Sequence, residues 1–218
     1  MKIRYLGHAA FELTLASGKK LIFDPYESGA YDGALAYGPI SGEYDIAVVS
    51  HDHADHTCAS VTSKAGTVID TAGEFDVEGV KIRAFETFHD ESGGSDRGKN
   101  LISIVETEGL RIAHLGDLGH DISAEAIPEL VGIDVLIIPV GGYFTIDARA
   151  AASIVDTFGP RIVVPMHFKT DKVSFPISPV DEFIGMVDNV EKVGGSEISV
   201  SKDDLPESMK VFVLSPSL

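Results

Sequence analysis

The stretch SHDHADH, residues 50 to 56, places three of the chain's eight histidines and two aspartates within six positions, 51 to 56. It completes DIAVVS (45 to 50), a short apolar run read as a buried strand, so the cluster stands where a strand ends. Imidazole nitrogen mixed with carboxylate oxygen suits zinc, and also manganese or iron, while the lack of thiolate argues against a structural zinc site. Side chains two apart in an extended segment share a side, which pairs His51 with His53. A helix starting nearby turns Asp55 and His56 towards an adjacent point, so one short motif can feed two metals. The competing account, a solvated polar turn between a strand and a helix, does not explain this density of histidine.

The motif supplies at most four ligands, and a working site needs partners from elsewhere. His89 follows GVKIRAFETF (79 to 88), Asp117 follows LRIAHLG (110 to 116) and His167 follows RIVVPM (161 to 166). Each stands at or just beyond the C-terminal end of an expected strand. Singly, each is an ordinary polar residue or a Gly-Asp turn. Together with SHDHADH they become specific candidates for the missing ligands.

Alternating or continuous β-branched runs predict strands at 2–7, 10–15, 20–24, 45–50, 67–70 and 79–85, then at 101–107, 110–116, 133–140, 161–166 and 209–215. Glu108-Gly109 between two of these predicts a hairpin turn. Helices are expected just after the histidine cluster and at 123–130, 147–158 and 178–192. Asp147 and Ser178 are the N-caps, Pro179 suits a first turn, and Gly159-Pro160 and Gly194-Gly195 are stops. Strands that alternate with helices only in the second half fit an α/β architecture of two mixed sheets packed together with helices outside. No linker or repeat divides residues 1–218, so one domain is expected.

Hydrophobic residues at 44% and charged residues at 23% describe an ordinary globular chain. The longest apolar run, IDVLIIPVGGY, is too short to span a bilayer, and the N-terminal apolar stretch is broken by His8 and Glu12, unlike a signal peptide. The single cysteine, Cys58, rules out an intrachain disulfide and is compatible with a reducing compartment, so cytoplasm is expected. Lys and Arg number 17 against 34 Asp and Glu, and the net charge of −17 repels nucleic acid and anionic membranes. Bound dications can still make one pocket positive.

The order of HxHxDH, a distant His, Gly-Asp after a strand and a final His resembles the metallo-β-lactamase superfamily, over residues 3 to 170 or so. YLGHAAFEL (5 to 13), LIFDP (21 to 25), RGKN (97 to 100), HLGDLGH (114 to 120) and PVGGYFTID (139 to 147) resemble its branch of predicted hydrolases that includes ascorbate-6-phosphate lactonase-like proteins. The resemblance implies an αββα sandwich and two divalent metal ions, Zn2+ first, with Mn2+ or Fe2+ as alternatives. It puts His51, His53 and His89 on one ion and Asp55, His56 and His167 on the other, with Asp117 bridging. The nucleophile it implies is a metal-bound hydroxide. Cys58 is then read as a small buried side chain.

The implied activity is hydrolysis of a small-molecule lactone, ester or phosphorylated metabolite. One alternative is a phosphodiesterase or ribonuclease with the same dinuclear site, opposed by the acidic charge. Another is a non-catalytic metal-binding protein, opposed by the complete ligand set. A flavodiiron-type redox role would replace one clustered histidine by an acid, and β-lactam hydrolysis fits poorly with a chain lacking a secretion signal.

His8 and Asp24 resemble positions near the metals, where Asp24 orients a ligand imidazole; the competing account is a strand-end residue and a turn former before Pro25. Asp55, His8 and His120 are the candidate catalytic residues, His120 as proton donor. Within HDESGGSDRGKN (89 to 100), Arg97 suits a substrate carboxylate or phosphate, with Asn100 and Lys169 as further substrate-binding candidates; exposed loop charge is the competing account. His114 is expected in the core or behind a ligand. The oligomeric state is open, a homo-oligomer included.

Overall fold

KIRYLG and AFELT alternate with period two and offer no helical stripe, so they pair as strands. β1 (Lys2–Gly7) runs antiparallel to β2 (Ala10–Thr14), and β2 antiparallel to β3 (Lys20–Phe23). β4 (Ile46–Val48) and β5 (Thr67–Ile69) extend this sheet in parallel. The computed structural model describes residues 1–218. The next strands are β6 (Gly73–Val77), β7 (Val80–Phe88), β8 (Lys99–Thr107), β9 (Leu110–His114), β10 (Val135–Pro139) and β11 (Ile162–Met166). The last three are β12 (Val190–Lys192), β13 (Glu197–Ser199) and β14 (Lys210–Val213).

One sheet has the order β13-β1-β2-β3-β4-β5 and the other β12-β14-β11-β10-β9-β8-β7-β6. In the second, β6 to β9 form an antiparallel meander and β9 to β11 with β14 and β12 run parallel. The turn at Glu108-Gly109 has φ of 52° and 75°, the doubly positive pattern of a tight hairpin. The inner faces meet in one continuous core that joins Ile3, Tyr5, Phe11 and Phe23 to Ile102, Ile112, Val135 and Val163. Each fully buried side chain of this kind contributes about 1.5–3 kcal/mol, which lets the loops above carry strain.

The outer layers are thin. Helix α1 is Ala59–Thr62, α2 is Ala148–Phe158 and α3 is Asp181–Ile184. α2 supplies the crossover that the parallel β10–β11 pair requires, and buries Ala151, Ile154, Val155 and Phe158. Asp147 caps it, its side chain accepting from Ala150 N, and Gly159 in the left-handed region ends it. The outer face of the first sheet, including Leu6, Ile22 and Ala47, is covered by Tyr26, Leu35, Tyr37 and Val173 from loops.

Two expected helices are corrected. Over 178–192 the helix stops at Ile184, Asn189 (φ 56°) reverses the chain, and Val190 pairs with Val211 on the open edge of β14. Over 123–130 only Pro128–Leu130 is helical, as a single 3-10 turn. No helix is long and apolar enough to cross a membrane.

Candidate metal centre

Within each sheet the pairing directions make β1, β3 and β4, and likewise β7, β9 and β11, end at the same edge. The residues just past those ends are His8, Asp24, the 50–56 segment, His89, Asp117 and His167. Three of them, His8 (φ 56°), Asp24 (φ 43°) and His167 (φ 52°), hold left-handed backbone. Such strain costs about 1–3 kcal/mol per residue and persists only where surrounding structure fixes it. Here His167 N donates to His8 O at 2.9 Å and Tyr5 Oη donates to the same oxygen at 3.0 Å. Two glycines permit the close packing: a Cβ on Gly119 would collide with the His89 backbone, and one on Gly141 with the His167 carbonyl.

The donors fall into three overlapping groups, each with ligand atoms within 4.8 Å of one another: His51, His53 and His89; His8, Asp55, His56 and His167; and His51, His56 and Asp117. Asp117 lies between the first two. Its Oδ1 is 3.1 Å from His56 Nε2, and its Oδ2 is 3.2 Å from His89 Nε2 and 3.3 Å from His167 Nε2.

Asp24 organises the floor. Its Oδ1 accepts from Ser50 N at 2.7 Å; its Oδ2 accepts from Ser50 Oγ and His56 Nδ1, each at 2.7 Å. With Nδ1 donating to Asp24, the Nε2 lone pair of His56 points at the centre. The Ser50 hydroxyl, spent as a donor on Asp24, accepts from His51 Nδ1 at 2.9 Å, which leaves His51 Nε2 as an acceptor, here 2.9 Å from His53 Nδ1. His8 Nε2 is 3.1 Å from Asp55 Oδ2, and Tyr31 Oη donates to Asp55 Oδ1 at 3.0 Å.

Buried polar atoms without partners test whether this set fits a metal. His56 Nε2, His167 Nε2 and Asp117 Oδ1 are buried and make no hydrogen bond. Leaving such groups unsatisfied costs about 1–3 kcal/mol each, and cations of the kind that imidazole and carboxylate ligate would satisfy them together. The donor set therefore fits metal ions.

Protonation agrees with that fit. Burial, with the neighbouring His56, pushes His51 down to about 3; burial, with His167, pushes His8 down to about 4, so both rings are neutral at pH 7. Burial would raise Asp117, but His167 and His56 hold it well below the usual carboxylate range. Burial would lower His56, but Asp117, Asp55 and Asp24 together drive it well above the ordinary imidazole value. A cation arriving at Nε2 therefore displaces a proton there.

Above the donors lies a cavity of about 410 Å3 with His53, Asp55, His89 and Asp117 at its floor and Tyr31, Arg97, Phe144 and Phe175 as walls. Of the residues proposed from sequence for substrate, Arg97 lines it. Asn100 does not: it is buried, its amide donates to Thr87 Oγ1 and Leu115 O, and its oxygen accepts from Asp117 N at 2.8 Å, so it positions Asp117. Lys169 donates to Phe175 O at 2.7 Å and supports a wall from behind. His120 is likewise outside, Nδ1 paired with Asp121 O and Nε2 accepting from Phe88 N. His8 is sealed beneath Asp55 and does not reach the cavity. Cys58 is half-buried rather than buried, its Sγ 3.2 Å from Ser60 Oγ. His114 behaves as expected of a core residue: it stacks on Phe23 at 4.8 Å, and its Nε2 donates to Ala9 O.

Sequence reasoning missed Tyr31, Phe144, Phe175 and Asp90. Asp90 is nearly fully buried, and its carboxylate accepts from the backbone N–H groups of Ser92, Gly94, Asp96 and Arg97 at 2.7–3.1 Å. Burial opposes the charge, yet these four donors hold the carboxyl down at about 2. An acid three residues before the glycine pair Gly93-Gly94 was the available signal.

The β-lactamase superfamily domain profile matches residues 2–167. The chain belongs to the metallo-β-lactamase superfamily. A UPF0173 metal-dependent hydrolase of Thermococcus onnurineus is 33% identical over 195 residues, covering 78% of this chain and 85% of that protein. One from Caldivirga maquilingensis is 33% identical over 193 residues, with 77% and 82% covered. Among solved structures, a candidate Zn-dependent hydrolase of the same superfamily from Thermotoga maritima superposes with a TM-score of 0.79 at 35% identity, covering 98% of this chain and 97% of that one. Igni18, a metallo hydrolase from Ignicoccus hospitalis, shares the fold at a TM-score of 0.68 and 21% identity, covering 99% and 95%. Within the superfamily this chain is a metal-dependent hydrolase.

Proposed function

We propose that the chain hydrolyses a small-molecule lactone, ester or phosphorylated metabolite at a dinuclear centre. His51, His53 and His89 would hold one divalent ion and Asp55, His56 and His167 the other, with Asp117 standing between the two groups. The position of Asp117 carries this reading: one oxygen faces His56 while the other faces His89 and His167, all within 3.3 Å. The nitrogen-rich, thiolate-free donors favour zinc, with Mn2+ or Fe2+ as alternatives.

When bound, two divalent ions supply Lewis acidity and activate water near neutral pH. The chain's own residues set the geometry. Asp24 fixes the ring of His56 and, through Ser50, that of His51. His8 and Tyr31 hold the two oxygens of Asp55, and Asn100 holds the backbone of Asp117. His8 is thus a positioning residue for Asp55. Aromatic rings make one wall of the cavity apolar, and Arg97 supplies a cation beside Phe144. The net charge of −17 and a cavity of only about 410 Å3 favour a small molecule over a nucleic acid, and the free Cys58 suits the cytoplasm.

The test is metal analysis of protein purified without added metal, followed by a screen of lactones, esters, phosphate monoesters and phosphodiesters with the preferred ion restored. Two ions per chain with turnover of a lactone, ester or phosphate monoester is the expected result. Turnover confined to phosphodiesters, or one ion at saturation, overturns it.

A further inference from the structure

The space around the centre has two unlike sides that share His53 and Arg97. On one side Phe175 is the hub of three rings: Tyr31 meets it edge-on at 5.5 Å and Phe144 at 5.7 Å. Tyr31 is 49% exposed, and Phe144 and Phe175 are half-buried, so the ring surface faces the cavity. Tyr31 reaches this place through a costly backbone, since Tyr31 (φ 54°) and Asp32 (φ 55°) are consecutive non-glycine residues in the left-handed region. The outcome is a ring at the wall whose hydroxyl touches Asp55 at 3.0 Å.

Arg97 closes this side. Its guanidinium carbon stands 5.5 Å from the centroid of Phe144, and it has no carboxylate partner, whereas Lys99 in the same loop is paired with Glu86 at 2.8 Å. A guanidinium that stacks through its face keeps its N–H edge free for a bidentate anion. On the other side, a second cavity of about 510 Å3 is lined by Asp52, Asp70, Glu86 and Lys99 and has no Phe or Tyr ring in its wall.

We propose that the aromatic side is a slot for a planar anionic group: a flat unsaturated or aromatic ring against Phe144, Phe175 and Tyr31, bearing a carboxylate or phosphate that Arg97 binds. Resting on the hydrolase reading above, this makes the substrate an ester or lactone of such a compound, with its scissile bond over His53, Asp55 and Asp117. Ring edges and faces favour a planar partner over a saturated one, because aromatic pairs gain from stacked and edge-on geometry beyond the area they bury.

The test is calorimetric titration of the metal-loaded protein with benzoate and phenyl phosphate, each against its saturated counterpart, cyclohexanecarboxylate and cyclohexyl phosphate, and against neutral benzyl alcohol. The expected result is that at least one planar anion binds about tenfold or more tightly than its saturated counterpart and than benzyl alcohol. Whichever of the two binds more tightly identifies carboxylate or phosphate as the anion. Arg97→Ala is expected to weaken it by about tenfold or more with metal content unchanged, and Phe144→Leu, which keeps apolar bulk without the ring, by severalfold.

Equal binding of planar and saturated anions, no binding of any probe, or indifference to Arg97→Ala overturns the slot. Full metal content with ring-indifferent binding sinks the slot and leaves the hydrolase reading standing. A chain that takes up no metal sinks the hydrolase reading, while Arg97-dependent binding of a planar anion to that chain upholds the slot.

Discussion

His51 and His53 are half-buried beside the buried His89, whereas His8, Asp55, His56 and His167 are all buried. The deep group is braced on both flanks, by Asp24 on His56 and by His8 and Tyr31 on Asp55. The open group has one relay, from Ser50 to His51, and His53 and His89 have no carboxylate behind the ring. Order in the deep half comes from directed hydrogen bonds in a low-dielectric setting, and in the open half from strand-end position. A group that depends on bracing is the more sensitive to loss of a brace, and one that depends on position is the more easily dismantled residue by residue.

Asp117→Asn tests that contrast with the largest expected effect, because the variant keeps shape but removes the charge between the halves. Turnover is expected to fall by more than the roughly 10–100-fold seen when an outer partner is lost. Metal content at limiting free metal is expected to drop more in the Asp55 half than in the His51 half. Retention of both ions at wild-type affinity would break the comparison and show that Asp117 does not link the two halves. Next comes His53→Ala, expected to lose one ion and most activity while the fold persists, since the ligand stands outside the core. Its circular dichroism and thermal unfolding should match wild type, and global unfolding would mean the open half is structural.

Asp24→Asn sharpens the contrast from the other side. It is expected to cost about 10–100-fold in metal affinity at the deep half, with little change at the open half apart from His51. Competitive titration with a coloured chelator measures this, and an equal loss at both halves would refute the distinction. The smallest effect is expected from Asp90→Asn. Metal content should hold while KM rises severalfold with kcat little changed, because the Arg97 loop loosens and the donors do not move. A fall in kcat alone would show that the loop acts on the chemistry.

The histidine cluster was legible because its signal is local: six adjacent positions carry both the residue types and the strand-end setting. His89, Asp117 and His167 became legible through the strands before them and through a family resemblance in their order. The rim was not legible, since Tyr31, Phe144 and Phe175 lie in three distant loops that only the packing brings together. The same distinction separates the elements. Long alternating runs such as those of β7 and β8 declare themselves, whereas β12 borrows its conformation from the exposed edge of β14. The apolar spacing of Val180, Phe183, Ile184 and Val187 reads as helical in isolation; the breakers Gly185 and Asn189 and the vacant sheet edge decide otherwise. Asn100 misled for a related reason, as a polar residue in a candidate loop that proved to be a buried strand residue serving Asp117.

The Asp90 carboxylate grips main-chain N–H groups at four positions of its loop and reads none of the side chains there. Apart from Gly93, Gly94 and Gly98, which hold positive φ, the loop's path is therefore set by its main chain rather than by the side chains it displays. Descendants of this chain can exchange the residue at position 97, and the ligand it selects, without re-inventing the turn that carries it or disturbing the histidine next door. Diversification of substrate in such a lineage becomes a matter of single codons, while the metal-holding edge is inherited whole.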